Sequence, residues 1–167
     1  MRGVLLAFFA ALRASELEHL SDRDVSLWGN DLHVDILRSK TGMRHVWATL
    51  PDAAVPLLRE VLPASCGERM KSAAAPEALG IGAGRLHNAV LRLAETHKAT
   101  LDELLPPNTR VTGHSLRKGG ATYAHEFGLD REQIARRFGW DRGHDTLDAY
   151  LLPIRQGALP SAWIPKY

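Results

Sequence analysis

Apolar residues run almost without a break from Gly3 to Leu12, and the pattern then turns amphipathic as far as Leu20. This predicts a helix over 4–20, broken near Arg13 to Ser15, with Ser15 placed to cap a second short helix beginning at Glu16. From Asp24 the period becomes that of a strand. Asp24 to Trp28 is a short strand, Gly29-Asn30-Asp31 a turn, and Leu32, Val34 and Ile36 alternate with His33, Asp35 and Leu37. Ser39 to Gly42 makes a polar turn and His45 to Leu50 returns, which predicts a β-hairpin within a small antiparallel sheet.

Helical spacing resumes at Pro51, whose fixed φ suits a first turn, with Ala54, Val55, Leu58 and Val61 on one face up to Leu62. Pro63 to Gly84 is rich in Pro, Ala, Gly and Ser and reads as a long loop. A helix over 84–96 places Leu86, Val90, Leu91 and Leu93 inward, and Thr100 to Thr112, marked by Pro106-Pro107, reads as a loop. Two more helices follow, His114 to Phe127 stopped by Gly128, and Arg131 to Phe138 capped by Asp130 and stopped by Gly139. Thr146 to Leu152 is a last short helix, and the tail to Tyr167, with Pro153, Pro160 and Pro165, is expected to be extended. Helices, a small antiparallel sheet, then helices is an α+β order, not alternating βαβ, and no internal repeat is present.

Composition narrows the class. With 167 residues, 45% hydrophobic and 24% charged, the chain can fill one core and is not globally disordered. Its one cysteine, Cys66, excludes an internal disulfide and a cysteine-rich zinc site. A net charge of +2 permits nucleic acid as a partner without demanding it. No stretch reaches the roughly 20 apolar residues of a membrane span. Arg2 and the apolar run after it imitate a signal peptide, but that run flows directly into an amphipathic segment, so a buried opening helix is the better reading.

Several residues carry possible chemistry, each with a bland alternative. Arg13 and Glu16 are one helical turn apart, as in an ordinary surface ion pair. Lys40 sits at a hairpin tip, where lysine is normally just solvated. His114 and Arg117 share a helix face near a helix start, where an anion is favoured and a guanidinium can grip phosphate oxygens in pairs. Gly119-Gly120 in a helix interior implies close approach of another backbone. Trp140 is a core anchor or an indole N–H donor to an oxyanion, and Tyr150 a core residue or, with cationic neighbours, a nucleophile. The eight histidines form no His-Glu-x-x-His motif, so no metal site and no cofactor are expected.

In order, the chain carries Ala11-Leu12-Arg13-Ala14-Ser15-Glu16-Leu17, Ser39-Lys40-Thr41, Gly113-His114-Ser115-Leu116-Arg117-Lys118-Gly119-Gly120-Ala121-Thr122, Phe138-Gly139-Trp140 and Tyr150. This resembles the catalytic domain of the tyrosine recombinase (phage integrase) family, from about residue 4 to 152, with the more specific match in the second half.

The resemblance implies a site-specific DNA recombinase or integrase that joins DNA to a tyrosine as a 3′-phosphotyrosine, releases a 5′-hydroxyl and needs neither metal nor ATP. Tyr150 would be the nucleophile, Arg13 and Arg117 clamps on the scissile phosphate, and Lys40 the general acid for the leaving oxygen. His114 would assist proton transfer, Trp140 stands where the family has His or Trp, and Glu16 would orient the site. Lys118, where the family often has His, receives no role. Two fixed guanidiniums and an imidazole or indole donor suit the charge of a phosphodiester in transfer. Phosphate contacts carry no base sequence, so the 83–98 helix, with Arg85, His87, Arg92 and Lys98, is the candidate for groove contact. The implied partner is double-stranded DNA, bound by a homo-oligomer, usually a tetramer, and the implied location is intracellular and DNA-associated.

The expected domain map is a catalytic domain over 1–152 and a Pro-rich tail over 153–167, without the family's N-terminal core-binding domain. Ten residues separate Trp140 from Tyr150, one more than the family spacing. Two alternatives share the pattern. One is a degenerate DNA-binding module that keeps the fold, and the other is a type IB topoisomerase-like activity.

Overall fold

The computed structural model describes residues 1–38, 42–63, 66, 75–105, 109–140, 147 and 151. The chain opens with α1 (Arg2–Phe9) and α2 (Ala14–Leu17), then a 3-10 turn over Asp22–Asp24. Strands β1 (Val25–Trp28), β2 (Asp31–Ile36) and β3 (Arg44–Thr49) follow, then α3 (Ala54–Val61), α4 (Ala83–Thr96), α5 (Lys98–Leu104), α6 (Gly113–Glu126) and α7 (Arg131–Arg137). The α+β class and the helix–sheet–helix order are those expected. No helix among the described residues is long and apolar enough to cross a membrane.

The sheet is an antiparallel meander in the order β1-β2-β3. Val34 pairs with both Val25 and Val46, and Leu32 with both Leu27 and Ala48, so the period-two pattern puts one apolar set on one face. Val25, Leu32, Val34, Ile36 and Val46 are buried there. The other face carries Trp28, His33, Asp35, His45 and Trp47. Arg44 pairs with Ile36 and therefore lies on the inward side, a placement with consequences for the site.

Helix α1 crosses α6 at the paired glycines. A Cβ on Gly120 would lie 1.9 Å from the Phe8 carbonyl oxygen, so only hydrogen fits there. Gly119 is less constrained, its nearest neighbour being the Phe8 ring at 3.2 Å.

Three helices end in the same six-to-one closure. Leu12 N–H donates to Ala7 O after α1, Leu129 N–H to Ala124 O after α6, and Trp140 N–H to Ala135 O after α7. The left-handed residue is Gly128 after α6 and Gly139 after α7, but after α1 it is Ala11, at φ 48° and fully buried. The left-handed well costs an L-residue about 1 kcal/mol. This closure makes the break expected near Arg13 and sets it one turn earlier.

Two expectations are corrected. Ser15 does not cap the second helix. Arg13 is its N-cap residue, and Glu16 reaches back to accept from the Arg13 N–H at 2.7 Å, because a carboxylate at the third helical position spans that gap. The stretch 100–112 was expected as a loop, yet α5 occupies its first five positions, supported by the Lys98–Asp102 pair at 2.6 Å along the helix. Of the stretch expected as a long loop, 63–84, the described residues 75–82 are pinned to the body of the fold and Ala83 and Gly84 already belong to α4. Leu79 N–H donates to Leu20 O, Asp22 N–H to Glu77 O, and Leu79 and Ile81 are buried. Of the last expected helix only Leu147 and Leu151 are described, and the tail over 153–167 lies outside the described residues.

Candidate functional site

The site grows from one buried carboxylate. Glu16, in the single turn of α2, accepts from the Arg13 N–H at 2.7 Å, Arg13 Nη1 at 2.9 Å and Arg44 Nη2 at 2.6 Å. Arg117 Nη1 stands 3.9 Å from the same carboxylate and donates to the Ala11 carbonyl. The left-handed Ala11 therefore both turns the chain towards Arg13 and supplies an acceptor for Arg117. Three guanidiniums surround one carboxylate, so the cluster keeps a positive excess.

Burial raises the Glu16 carboxyl, but the Arg13 N–H, Arg44 and Arg117 outweigh it, and its pKa falls below the ordinary 4.5. At Arg44 burial outweighs the pairing with Glu16 and lowers a guanidinium whose ordinary value is far above neutral. Both members are charged at neutral pH.

Helix α6 delivers His114 and Arg117 one turn apart. Thr112 opens it, its N–H donating to Ser115 Oγ at 3.0 Å. Arg117 is buried, with its guanidinium carbon 4.4 Å from the centre of the Trp140 ring. Trp140 follows the Gly139 turn that ends α7. His114 is exposed at the rim, and burial, then Arg117, Lys118 and Arg13, hold its pKa below 6.5, so the imidazole is neutral at pH 7.

Arg13, His114 and Arg117 face one open cleft of about 600 Å³, lined also by Ser15, Glu18, His87 and Thr112. Arg117 forms the floor. Arg13 and Arg117 line the cleft, Arg13 with its side chain 40% exposed, whereas Arg44 is absent from the lining and braces the site from behind. Chemically, guanidinium forks beside a neutral imidazole can hold a tetrahedral oxyanion and take up a proton.

The structure brings together Arg13, Glu16, His114, Arg117 and Trp140 from α2, α6 and the end of α7. Lys40 and Tyr150 lie outside the described residues. His87, expected to face a DNA groove with Arg85, Arg92 and Lys98, lines this cleft instead. Sequence reading missed Arg44. It joins β3 to Glu16 and donates through Nη1 to the carbonyls of Phe138 and Gly139, the latter at 3.4 Å. Its signal was its parity with Val46 and Ala48, which places a cation on the inward face of a strand.

No protein-family profile and no curated protein sequence matches the chain. Solved structures do. The XerH site-specific recombinase bound to difH substrate, in a pre-cleavage complex, superposes with a TM-score of 0.61 at 19% identity, over 93% of this chain and 43% of that one. The Tn1549 transposon integrase (residues 82–397) in complex with circular intermediate DNA gives 0.54 at 17% identity, over 89% and 52%. The chain thus spans about half the length of these structures. Its fold is that of a tyrosine recombinase catalytic domain.

Proposed function

We propose that the chain is the strand-transfer domain of a tyrosine-type site-specific DNA recombinase or integrase. The observation that carries this reading is the convergence of Arg13, Arg117 and His114 on one open cleft, braced from beneath by Glu16. The fold supports it, as do the DNA complexes of its structural neighbours, an integrase on circular intermediate DNA and a recombinase on difH substrate.

In this reading Tyr150 Oη attacks a DNA phosphorus and a P–O bond forms as the bond to the 5′-oxygen breaks. Lys40 gives that oxygen its proton, and neutral His114 assists the loss of the phenolic one. Arg13 and Arg117 hold the non-bridging oxygens, where negative charge develops, and Trp140 packs the Arg117 guanidinium in place. Glu16 orients the arginines and does not react. Reversal by a second 5′-hydroxyl conserves the phosphodiester energy, so the step needs no ATP, and the guanidiniums supply the charge stabilisation that a metal would otherwise give. Base sequence is read elsewhere, from α4 with Arg85 and Arg92 as candidates. The working form is a homo-oligomer, a tetramer on double-stranded DNA, in a DNA-associated location inside the cell.

A covalent trapping assay tests this. The protein is mixed with supercoiled DNA and nicked oligonucleotides, stopped with detergent, and compared with Tyr150→Phe. A DNA-linked protein that disappears in the variant is the expected result. An adduct that persists in Tyr150→Phe overturns the assigned nucleophile. Salt-sensitive DNA binding with no adduct reassigns the chain to a binding module that keeps only the fold.

A further inference from the structure

The solvent face of the sheet holds a polar cluster that the strand-transfer reading does not use. In the β2–β3 register His33 pairs with Trp47 and Asp35 with His45, which makes the two histidines diagonal neighbours on one face. Nδ1 of His33 lies 3.2 Å from Nε2 of His45, with ring centres 5.4 Å apart. The far nitrogen of His45, Nδ1, is 2.5 Å from Asp35 Oδ1. Trp28 packs against His33 with 5.0 Å between ring centres.

Proton bookkeeping sets the tautomers. The Asp35 carboxylate only accepts, so His45 Nδ1 carries a proton and, in the neutral ring, Nε2 offers its lone pair towards His33. One proton on His33 Nδ1 then fills the gap. Moving it to His33 Nε2 leaves two lone pairs directed into the same space. With metal–nitrogen bonds of about 2.0–2.1 Å, two imidazole nitrogens on a tetrahedral ion lie roughly 3.3 Å apart. The observed 3.2 Å is a hydrogen-bond length that is also close to that ligand spacing, so a small turn of the half-exposed imidazoles, with the His45–Asp35 contact kept, seats the ion off the nitrogen–nitrogen line.

We propose that His33 and His45 form a two-imidazole site for a divalent transition-metal ion of borderline softness, such as Zn²⁺, with Asp35 as the carboxylate that orients His45. Among the described residues no group of three His, Cys, Asp or Glu side chains is placed to hold a metal, so solvent completes the coordination shell. Asp35 sits on the nitrogen remote from the ion and acts by fixing the His45 tautomer and ring. Imidazole donors select copper, nickel and zinc over magnesium and calcium. The twelve-residue separation of the histidines matches no linear metal motif, because the hairpin creates the pair. The bound ion clips β2 to β3, independently of any strand-transfer activity.

The test is titration of the full chain with zinc chloride by calorimetry, alongside His33→Asn, His45→Asn and Asp35→Asn. These side chains lie on the solvent face, and unchanged circular dichroism and metal-free melting confirm that the variants fold. Copper(II) adds a local readout, because the paramagnetic ion beside His33 quenches Trp28. The expected result is one zinc equivalent whose affinity drops at least tenfold in either histidine variant and about tenfold to a hundredfold in Asp35→Asn. Trp28→Phe retains binding and loses part of the copper quench, the rest coming from Trp47 opposite His33, and His97→Asn changes nothing. Wild-type binding no tighter than that of the His33→Asn/His45→Asn double variant overturns the proposal, as does a copper quench that this double variant leaves intact.

Discussion

Arg44 and Glu16 meet in a buried contact of 2.6 Å across 28 residues of sequence. Through its other terminal nitrogen Arg44 donates to the Phe138 carbonyl, two residues before the indole that covers Arg117. One guanidinium from β3 therefore ties the start of α2 to the end of α7. The two arginines of the cleft are held in register by a third that does not reach it.

Glu16→Gln keeps the size of the side chain and one carbonyl acceptor but leaves Arg44 charged and buried. Breaking one partner of a buried pair costs about 3 kcal/mol or more. Adding Arg44→Met removes the orphaned cation and recovers part of that loss, so the double variant is more stable than the sum of the singles by at least about 1 kcal/mol. Urea unfolding of the four proteins measures this, and strict additivity would show that the pair is not coupled.

The same carboxylate sets an acid limb. Its pKa is lowered in the folded chain, so its stabilisation is fully present above the ordinary value of 4.5 and is lost as pH falls through the lower folded value. Between those values the wild type loses stability with acid, and Glu16→Gln, already weaker at neutral pH, loses less. Melting temperatures from pH 6 to pH 3 should therefore converge, and parallel curves would contradict the ion-pair account.

The elements were legible wherever one period held. The β2 alternation, the Asp130 cap and the stops at Gly128 and Gly139 follow from local rules, and the structure has them in place. The grouping of Arg13, Glu16, His114 and Arg117 was legible because His114 and Arg117 share one helix face and Arg13 and Glu16 share one capping turn. Arg44 was not, since its role depends on strand parity and on partners 28 and 94 residues away. The α1 closure was hidden for a different reason: Ala11 fills a position that glycine marks in the other two helices. Likewise α5 was masked by the Pro106-Pro107 signal just beyond it.

The adjacent glycines of α6 should respond very differently to one methyl group. Gly120→Ala forces a Cβ into the Phe8 carbonyl, which is backbone and cannot turn aside, and overpacking of that kind costs about 3 kcal/mol or more. Gly119→Ala meets the Phe8 ring at 3.2 Å, which can shift slightly, and gains about 1 kcal/mol of helix propensity to set against that shift. Thermal unfolding should separate the two variants by more than about 2 kcal/mol. Equal effects would mean that α1 does not cross α6 at Gly120.

His114 reports on the cleft directly. Burial, then Arg117, Lys118 and Arg13, depress its pKa below 6.5. As pH falls through 6.5 the unfolded chain takes up this proton first, so His114 makes the fold less stable towards acid until its own folded value is passed. His114→Gln removes that slope. An oxyanion held by Arg13 and Arg117 offsets the cations that repel the proton, and the His114 titration midpoint then rises towards or above 6.5. Binding near pH 6 should thus take up a fraction of a proton per site. Imidazole resonances followed by NMR, with and without a short DNA duplex, give both midpoints. Arg13→Gln should raise the midpoint of the free chain and shrink the shift on binding. A midpoint at 6.5 or above without DNA would contradict the buried, cationic setting of His114, and a downward shift with DNA would place the phosphate somewhere other than this cleft.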